Sequence, residues 1–317
     1  MPALFKSLLS IILAVSPILV ISKVVAMQHD GFDLSDALVD TELILAGGPA
    51  KDGIPAIDRP LFVSARHAVH VRDTDRILGI ELDGVAKAYP VGILNWHEIV
   101  NDAINGEAFA ITYCPLCGTG VAFSSEVDGN KLDFGVSGLL YNSDVLLYDR
   151  QSESLWSQIM SKAITGKYKG RELRRLPIIH TSWAAWKQSF PDTQVLSDNT
   201  GYDRDYRRNP YEGYAESSMI YFKVGNRSTR SLHPKERVLG LQVDDSYKAY
   251  PFSELDKSNM TEIPDRFAGK SFTVHWDRVN QSARITDAAG KQVAVIEGFW
   301  FAWFAFHPET EVFAASK

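Results

Sequence analysis

The pattern that most narrows the folds open to this sequence is that it occurs twice. Asp75-Arg76-Ile77-Leu78-Gly79-Ile80 runs on to Lys87-Ala88-Tyr89-Pro90, and Glu236-Arg237-Val238-Leu239-Gly240-Leu241 runs on to Lys248-Ala249-Tyr250-Pro251 with the same internal spacing. Gly106-Glu107-Ala108-Phe109-Ala110-Ile111-Thr112-Tyr113 is echoed by Gly269-Lys270-Ser271-Phe272-Thr273-Val274-His275-Trp276. Trp183-Ala184-Ala185-Trp186 leading to Pro191-Asp192-Thr193 matches Trp300-Phe301-Ala302-Trp303 leading to Pro308-Glu309-Thr310. Three matches in one order read as an internal duplication.

Each unit predicts the same coarse shape. Ile77 to Leu82 and Val85 to Tyr89 alternate around Asp83-Gly84, a strong hairpin signal. Pro90 ends the second strand because it cannot donate to a ladder. The apolar spacing predicts a short helix over Val91 to Asn101, followed by a strand over Phe109 to Tyr113. Val121 to Glu126 and Lys131 to Val136 read as a second hairpin around Asp128-Gly129. Trp183 to Phe190 reads as a helix stopped by Pro191, and Thr193 to Leu196 as a final strand. The expected fold class is α+β, mainly antiparallel β: two diverged tandem copies of one β-rich unit with short helices. Seven Trp, twelve Tyr and sixteen Phe suit such strands, where aromatics pack across the sheet.

The chain opens on a segment that reads as a secretory signal over residues 1–26. Lys6 supplies the positive n-region, Leu8 to Ile21 the apolar run, and Val24-Val25-Ala26 small residues before a cut. The run falls short of the about 20 apolar residues that a membrane span needs. These features predict a periplasmic or extracellular protein with no stable transmembrane span after signal cleavage, with an uncleaved signal-anchor as the alternative. Behind the signal come a lead-in over 27–56, a first copy over 57–200, a connecting loop over 201–230 and a second, stripped copy over 231–317. An apolar content of 45% and a charged content of 23% are ordinary for a globular protein. The net charge of −6 comes with no basic stripe, which argues against a nucleic-acid partner.

The copies differ in their polar equipment. Cys114 to Gly120 is replaced by Asp277-Arg278-Val279-Asn280-Gln281, a loop that reads as two residues shorter and has no cysteine. The helix bearing His97 becomes Phe252 to Asn259, without histidine, and a stretch from about Gly135 to Arg175 is absent from the second copy. The elaborated copy is therefore the expected seat of any site.

Both cysteines of the chain lie in Cys114-Pro115-Leu116-Cys117, so a framework of stabilising bridges is ruled out by count. A lone Cys-x-x-Cys can hold a metal through two thiolates, cycle between dithiol and disulfide, or form a small bridge. Gly118-Thr119-Gly120 leads onward into a strand, whereas a thioredoxin-type pair would open a helix. His97, in Asn95-Trp96-His97-Glu98, is the third candidate as a ligand or general base, set against a core histidine with satisfied hydrogen bonds. His180 is a weaker candidate set against a helix-capping neighbour, and His67 and His70, three apart, read as solvated surface. Tyr141, Asn142, Ser143, Asp149, Arg150, Trp156 and Gln158 bring donors, acceptors and aromatic walls into one span, as a small-molecule pocket requires, although Asn-Ser-Asp is also ordinary turn chemistry. Tyr202 to Tyr214 reads as an ordered loop whose Arg204, Arg207 and Arg208 can clamp an anion, or as an exposed linker.

Several runs taken together resemble one family. They are His97-Glu98-Ile99-Val100-Asn101-Asp102, Thr112-Tyr113-Cys114-Pro115-Leu116-Cys117, and Phe134-Gly135-Val136-Ser137-Gly138-Leu139-Leu140-Tyr141-Asn142-Ser143. Tyr148-Asp149-Arg150, Trp156-Ser157-Gln158, Pro191-Asp192-Thr193 and Asn209-Pro210-Tyr211 belong with them. The chain resembles the secreted bacterial and archaeal "domain of unknown function 3179" over roughly residues 50 to 315. That resemblance carries no activity with it. It implies emphasis on His97, Cys114, Cys117, Tyr141, Asn142, Ser143, Asp149, Arg150, Trp156 and Gln158, and leaves His67, His70 and His180 outside the pattern.

The expectation is therefore a site in which Cys114, Cys117 and His97 bind a thiophilic metal, copper or zinc. Tyr141 and Asp149 would join those three in any chemistry, and Asn142, Ser143, Arg150, Trp156 and Gln158 would grip a small molecule. A metal-free thiol–disulfide oxidoreductase is one alternative. The other is a non-catalytic small-ligand-binding module with a structural disulfide. The role of a bound metal, catalysis or handling, is open at this point.

Overall fold

The computed structural model describes residues 28–29, 31–229 and 232–315, so the predicted signal lies outside the described residues. Within them the architecture is β-rich and mainly antiparallel. Four short helices punctuate it: α1 (Val91–His97), α2 (Trp183–Ser189), α3 (Phe252–Lys257) and α4 (Trp300–Phe306). No helix among the described residues is long and apolar enough to cross a membrane.

Corresponding segments pair alike in the two halves. Asp83 and Gly84 both have positive φ (50° and 81°), the turn that matches strand twist. It sets Arg76–Leu82 against Val85–Pro90 with Gly79 opposite Ala88. In the second half Arg237–Val243 pairs with Ser246–Pro251, and Gly240 lies opposite Ala249. Both glycines are required by an indole: a Cβ on Gly79 would overlap Trp186 of α2, and one on Gly240 would overlap Trp303 of α4. Trp186 Nε1 donates to Thr193 Oγ1 at 2.9 Å, and Trp303 Nε1 to Thr310 Oγ1 at 3.0 Å. The strand after each helix then adds in parallel, Gln194–Leu196 to Val85–Pro90 and Glu311–Val312 to Ser246–Pro251.

The halves exchange strands. Thr119–Ser124 of the first is bridged to Ile296–Phe299 of the second, with Glu297 opposite Gly120, so one eight-stranded sheet runs through both. In return Ser282–Asp287 of the second half packs beside Ile179–Ser182 of the first. A buried ionic cluster marks the crossing. Arg237 Nε donates to Glu297 Oε1 at 3.1 Å, and His180 Nδ1 lies 3.0 Å from the same oxygen without the alignment of a hydrogen bond. Burial pushes His180 down to about 4 against the pull of Glu297. Burial acts to raise the Glu297 carboxyl, but Arg237, His180 and Arg76 outweigh it and hold the group at about 2.

Three expectations are corrected. The helix predicted over 91–101 stops at His97, because Glu98 turns to φ 58° and Ile99–Ile104 continues as a strand. The predicted hairpin over 121–136 pairs only at its tip, Glu126 with Lys131 and Val127 with Asn130. Phe134–Tyr141 pairs with Asp144–Asp149 instead, forming a five-stranded sheet with Leu155–Ser157, Lys162–Ala163 and Ile44–Ala46. The loop after Cys114 is also no longer than its counterpart. Cys114 pairs with Thr119, and Asp277 with Ser282, so 115–118 and 278–281 are equal connections.

Alternation along Glu107–Cys114 decides what its neighbours are. Phe109, Ile111 and Tyr113 enter the core of the first hairpin. Ala110 and Cys114 point the other way, into a core shared with Val136, Leu147 and Trp156 of the five-stranded sheet. The cysteines therefore lie between two sheets.

Candidate metal centre

Two hairpin turns meet at the site. The first joins Glu107–Cys114 to Thr119–Ser124, and its four-residue connection holds Cys117. Cys117 N donates to Cys114 O at 3.2 Å, and Cys117 O accepts from Phe299 N at 2.7 Å, which fixes the loop to the second half. Gly118 has φ 60° under the Phe299 ring, where a Cβ would come to 3.0 Å from Phe299 Cζ. The second turn, Asn142-Ser143, links Phe134–Tyr141 to Asp144–Asp149. Both of its residues have positive φ (52° and 69°). Asn142 Oδ1 accepts from Gly225 N at 2.7 Å, which anchors that turn to the connecting loop.

What the turns bring together is a pair of thiols and a carboxylate. The Ser143 carbonyl accepts from Cys117 Sγ at 3.2 Å, with Cys114 Sγ at 3.9 Å. A carboxylate oxygen of Asp144 and the two sulfurs all lie within 4.8 Å of one another. Cys114, Cys117 and Asp144 are at most 1% exposed, and both cysteines are free thiols. Ile159 N donates to Asp144 Oδ2 at 3.1 Å, whereas Asp144 Oδ1 is buried with no hydrogen-bond partner among the described residues.

The electrostatics follow from crowding acids in a dry place. Burial pushes the Asp144 carboxyl up to about 7. Burial, reinforced by Asp144, pushes Glu98 up to about 8. Burial also raises both thiols, Cys117 well above its ordinary range. The connecting loop covers the site: Tyr211 and Tyr214 pack into the same core as the cysteines. Lys235 holds that cover down, donating to Ser217 O at 2.8 Å and Met219 O at 2.6 Å with its ammonium 3.8 Å from the Tyr214 ring centroid.

His97 takes no place in this cluster. Its Nδ1 is 2.7 Å from Pro55 O and its Nε2 2.7 Å from the Tyr206 hydroxyl, so both nitrogens are engaged elsewhere. Asp149 organises a turn instead, accepting from Ser152 N at 2.6 Å and Trp156 Nε1 at 3.0 Å. Trp156 thus fixes that turn and packs against Phe134. Tyr141 packs edge-on against Phe306. Arg150 reaches Asp52 and Asp58 at 3.3 and 3.4 Å. Ser143 borders the thiols through its carbonyl. Gln158 Nε2 donates to Thr112 Oγ1 at 2.8 Å and Thr119 O at 3.3 Å, behind the cysteine hairpin. Neither pair of His67 and His70 makes a cluster: His67 Nδ1 meets Ser64 Oγ and His70 Nε2 meets Leu196 O, each at 2.9 Å. Among the loop arginines, Arg204 lies over Trp96, and the Arg208 carbonyl accepts from Trp96 Nε1 at 3.2 Å. The candidate site residue that the sequence reading passed over is Asp144, whose Asn-Ser-Asp run reads as turn chemistry.

Residues 51–310 match the family described as protein of unknown function (DUF3179). The chain belongs to that family. No curated protein and no solved structure matches it. The DUF3179 match takes in both halves, and with them Cys114, Cys117, Asp144 and the Phe299 contact that holds the cysteine loop.

Proposed function

We propose that this protein is an exported metal-binding protein whose zinc ligands are Cys114, Cys117 and Asp144. The observation that carries the reading is the buried Asp144 Oδ1, which has no hydrogen-bond partner among the described residues, on a carboxylate grouped with two free thiols. A buried carboxylate with one oxygen left without a partner is costly, and a cation beside that oxygen offsets the cost. Zinc takes thiolate sulfur and carboxylate oxygen together at about 2.0–2.3 Å, so a group within 4.8 Å needs little contraction to share one ion. Copper(I) prefers an all-sulfur set, and the carboxylate disfavours it.

The thiol–disulfide reading is weaker on physical grounds. Its nucleophile is a thiolate with a depressed pKa and access to solvent, while burial raises both thiols here. Export rests on the apolar Leu8 to Ile21 run behind Lys6. Duplication rests on the shared motif order and on the common glycine–indole arrangement, with the polar chemistry retained in the first copy. Elemental analysis of protein purified under reducing conditions tests the metal. One equivalent of zinc, lost in Cys114→Ser and Asp144→Asn, supports it. Less than about a tenth of an equivalent, unchanged by those substitutions, overturns it, because a thiolate site should load near stoichiometrically.

A further inference from the structure

Residues 218–234 and α4 enclose a cavity of about 390 Å³ that none of Cys114, Cys117 and Asp144 lines. Its volume falls at the small end of the about 300–1,000 Å³ of ligand pockets. The walls are mostly apolar: Met219, Ile220, Val224 and Leu232 on one side, Trp300 and Phe301 of α4 on the other. They are fixed without a ligand. Lys235 Nζ donates to Met219 O at 2.6 Å, Phe301 N to Pro234 O at 2.9 Å, and Asn226 Nδ2 to Ala305 O at 3.0 Å. The cavity is thus built into the join between the connecting segment and the second half.

Two polar groups of its lining lack partners. Trp300 is 1% exposed, and its indole Nε1 is buried with no hydrogen-bond partner among the described residues. An indole N–H can only donate, so what it lacks is an acceptor. Arg227 is exposed and makes no ion pair or hydrogen bond among the described residues. No acidic residue among those described lines the cavity, so the guanidinium leaves it with an uncompensated positive charge.

We infer that this cavity binds a small carboxylic acid with an apolar body, its carboxylate on Arg227 and an inner oxygen on Trp300 Nε1. A guanidinium grips a carboxylate through two parallel hydrogen bonds. The apolar body covers Ile220, Leu232 and Phe301, and the Met219 side chain adapts to its shape. A buried donor left unpaired is costly, so a ligand that brings an acceptor to Nε1 is favoured over one that does not. The small-molecule contacts expected from the sequence, Asn142, Ser143, Arg150, Trp156 and Gln158, form no part of this lining. Nothing in the assignment depends on the thiol pair taking zinc.

The test is calorimetric titration of the full-length protein with 4-methoxyphenylacetate, which carries a carboxylate, a ring and an ether oxygen. Phenylacetate lacks the ether, and 4-methoxyphenylacetamide lacks the charge. Wild type should bind 4-methoxyphenylacetate saturably and the amide at least about tenfold more weakly. Arg227→Gln should lose the same factor and no longer tell acid from amide. Trp300→Phe keeps an aromatic ring and removes the N–H, so it should weaken 4-methoxyphenylacetate several-fold and leave phenylacetate unchanged. Thermal unfolding checks that both variants fold. Arg227 is exposed and unpaired, so the result at that position stands even where Trp300→Phe does not fold. Equal weakening of both acids by Trp300→Phe overturns the indole contact. Equal affinity of wild type for acid and amide, or no saturable binding of the acid up to about 10 mM, overturns the site.

Discussion

His180 of the first half and Glu297 of the second face each other at 3.0 Å across the crossing of the two halves. The folded-state pKa of His180 lies at about 4, below the ordinary 6.5, so its contribution to stability is complete above pH 6.5 and is lost as pH falls through 4. Glu297 adds a second loss at lower pH, from 4.5 down through about 2. The unfolding temperature of wild type should therefore fall between pH 6.5 and 4 more steeply than that of His180→Gln, which has no proton to take up. Parallel curves for the two proteins would remove His180 from the account of acid lability.

The buried Asp144 carboxyl beside the two thiols predicts a pH dependence of opposite sign. In metal-free protein the Asp144 carboxyl is raised from 3.8 to about 7, so its contribution is complete below pH 3.8 and is lost as pH rises through 7. Subtracting the Asp144→Asn curve isolates this effect from the histidine. The difference should run downhill with rising pH in metal-free protein. With zinc bound it should flatten, because the ion takes the place of the proton, and loading should release protons into a weakly buffered solution. A difference that stays flat without metal would falsify the raised carboxyl.

Gly79 and Gly240 provide a test of the shared architecture. Each faces an indole at the distance of direct overlap with any added methyl group. Gly79→Ala and Gly240→Ala should each destabilise by about 1–3 kcal/mol, the range of an overpacked core. Denaturant unfolding followed by tryptophan fluorescence measures both. A tolerated alanine at either position would show that its indole has room to move.

Replacement of His97 separates the sequence expectation from the observed cluster. With Nδ1 on Pro55 O and Nε2 on Tyr206, the ring serves packing and hydrogen bonding. His97→Gln should keep a full zinc equivalent while losing about 1–3 kcal/mol of stability for a broken buried pair. A drop in metal content in folded protein would return the histidine to the ligand set.

Much of the fold was legible because turn chemistry is local. Asp83-Gly84 and Asp128-Gly129 announced turns that formed, and the Trp-rich helices ended where a proline predicted. The helix over 91–101 was over-extended because Ile99 and Val100 fit a helical face as readily as a strand buried on both sides. Glu98 stops that helix through tertiary ties to Tyr113, which spacing cannot reveal. The cysteines were found from their pattern. Asp144 was not, because its inward aim depends on the register that sets Tyr141 opposite Asp144 and on the sheet beneath which that turn lies. A histidine beside the motif outranked an acid inside a turn, and the distances reversed the order.

Phe299 N donating to Cys117 O, together with the Glu297–Gly120 pairing, has a consequence for how this chain can be divided. The half without cysteines is the template against which the cysteine loop is cast. A protease nick in the connecting segment would leave two fragments clasped by their exchanged strands. The first half expressed alone would carry Cys114, Cys117 and Asp144 and still lack the Phe299 contact that fixes the Cys117 loop.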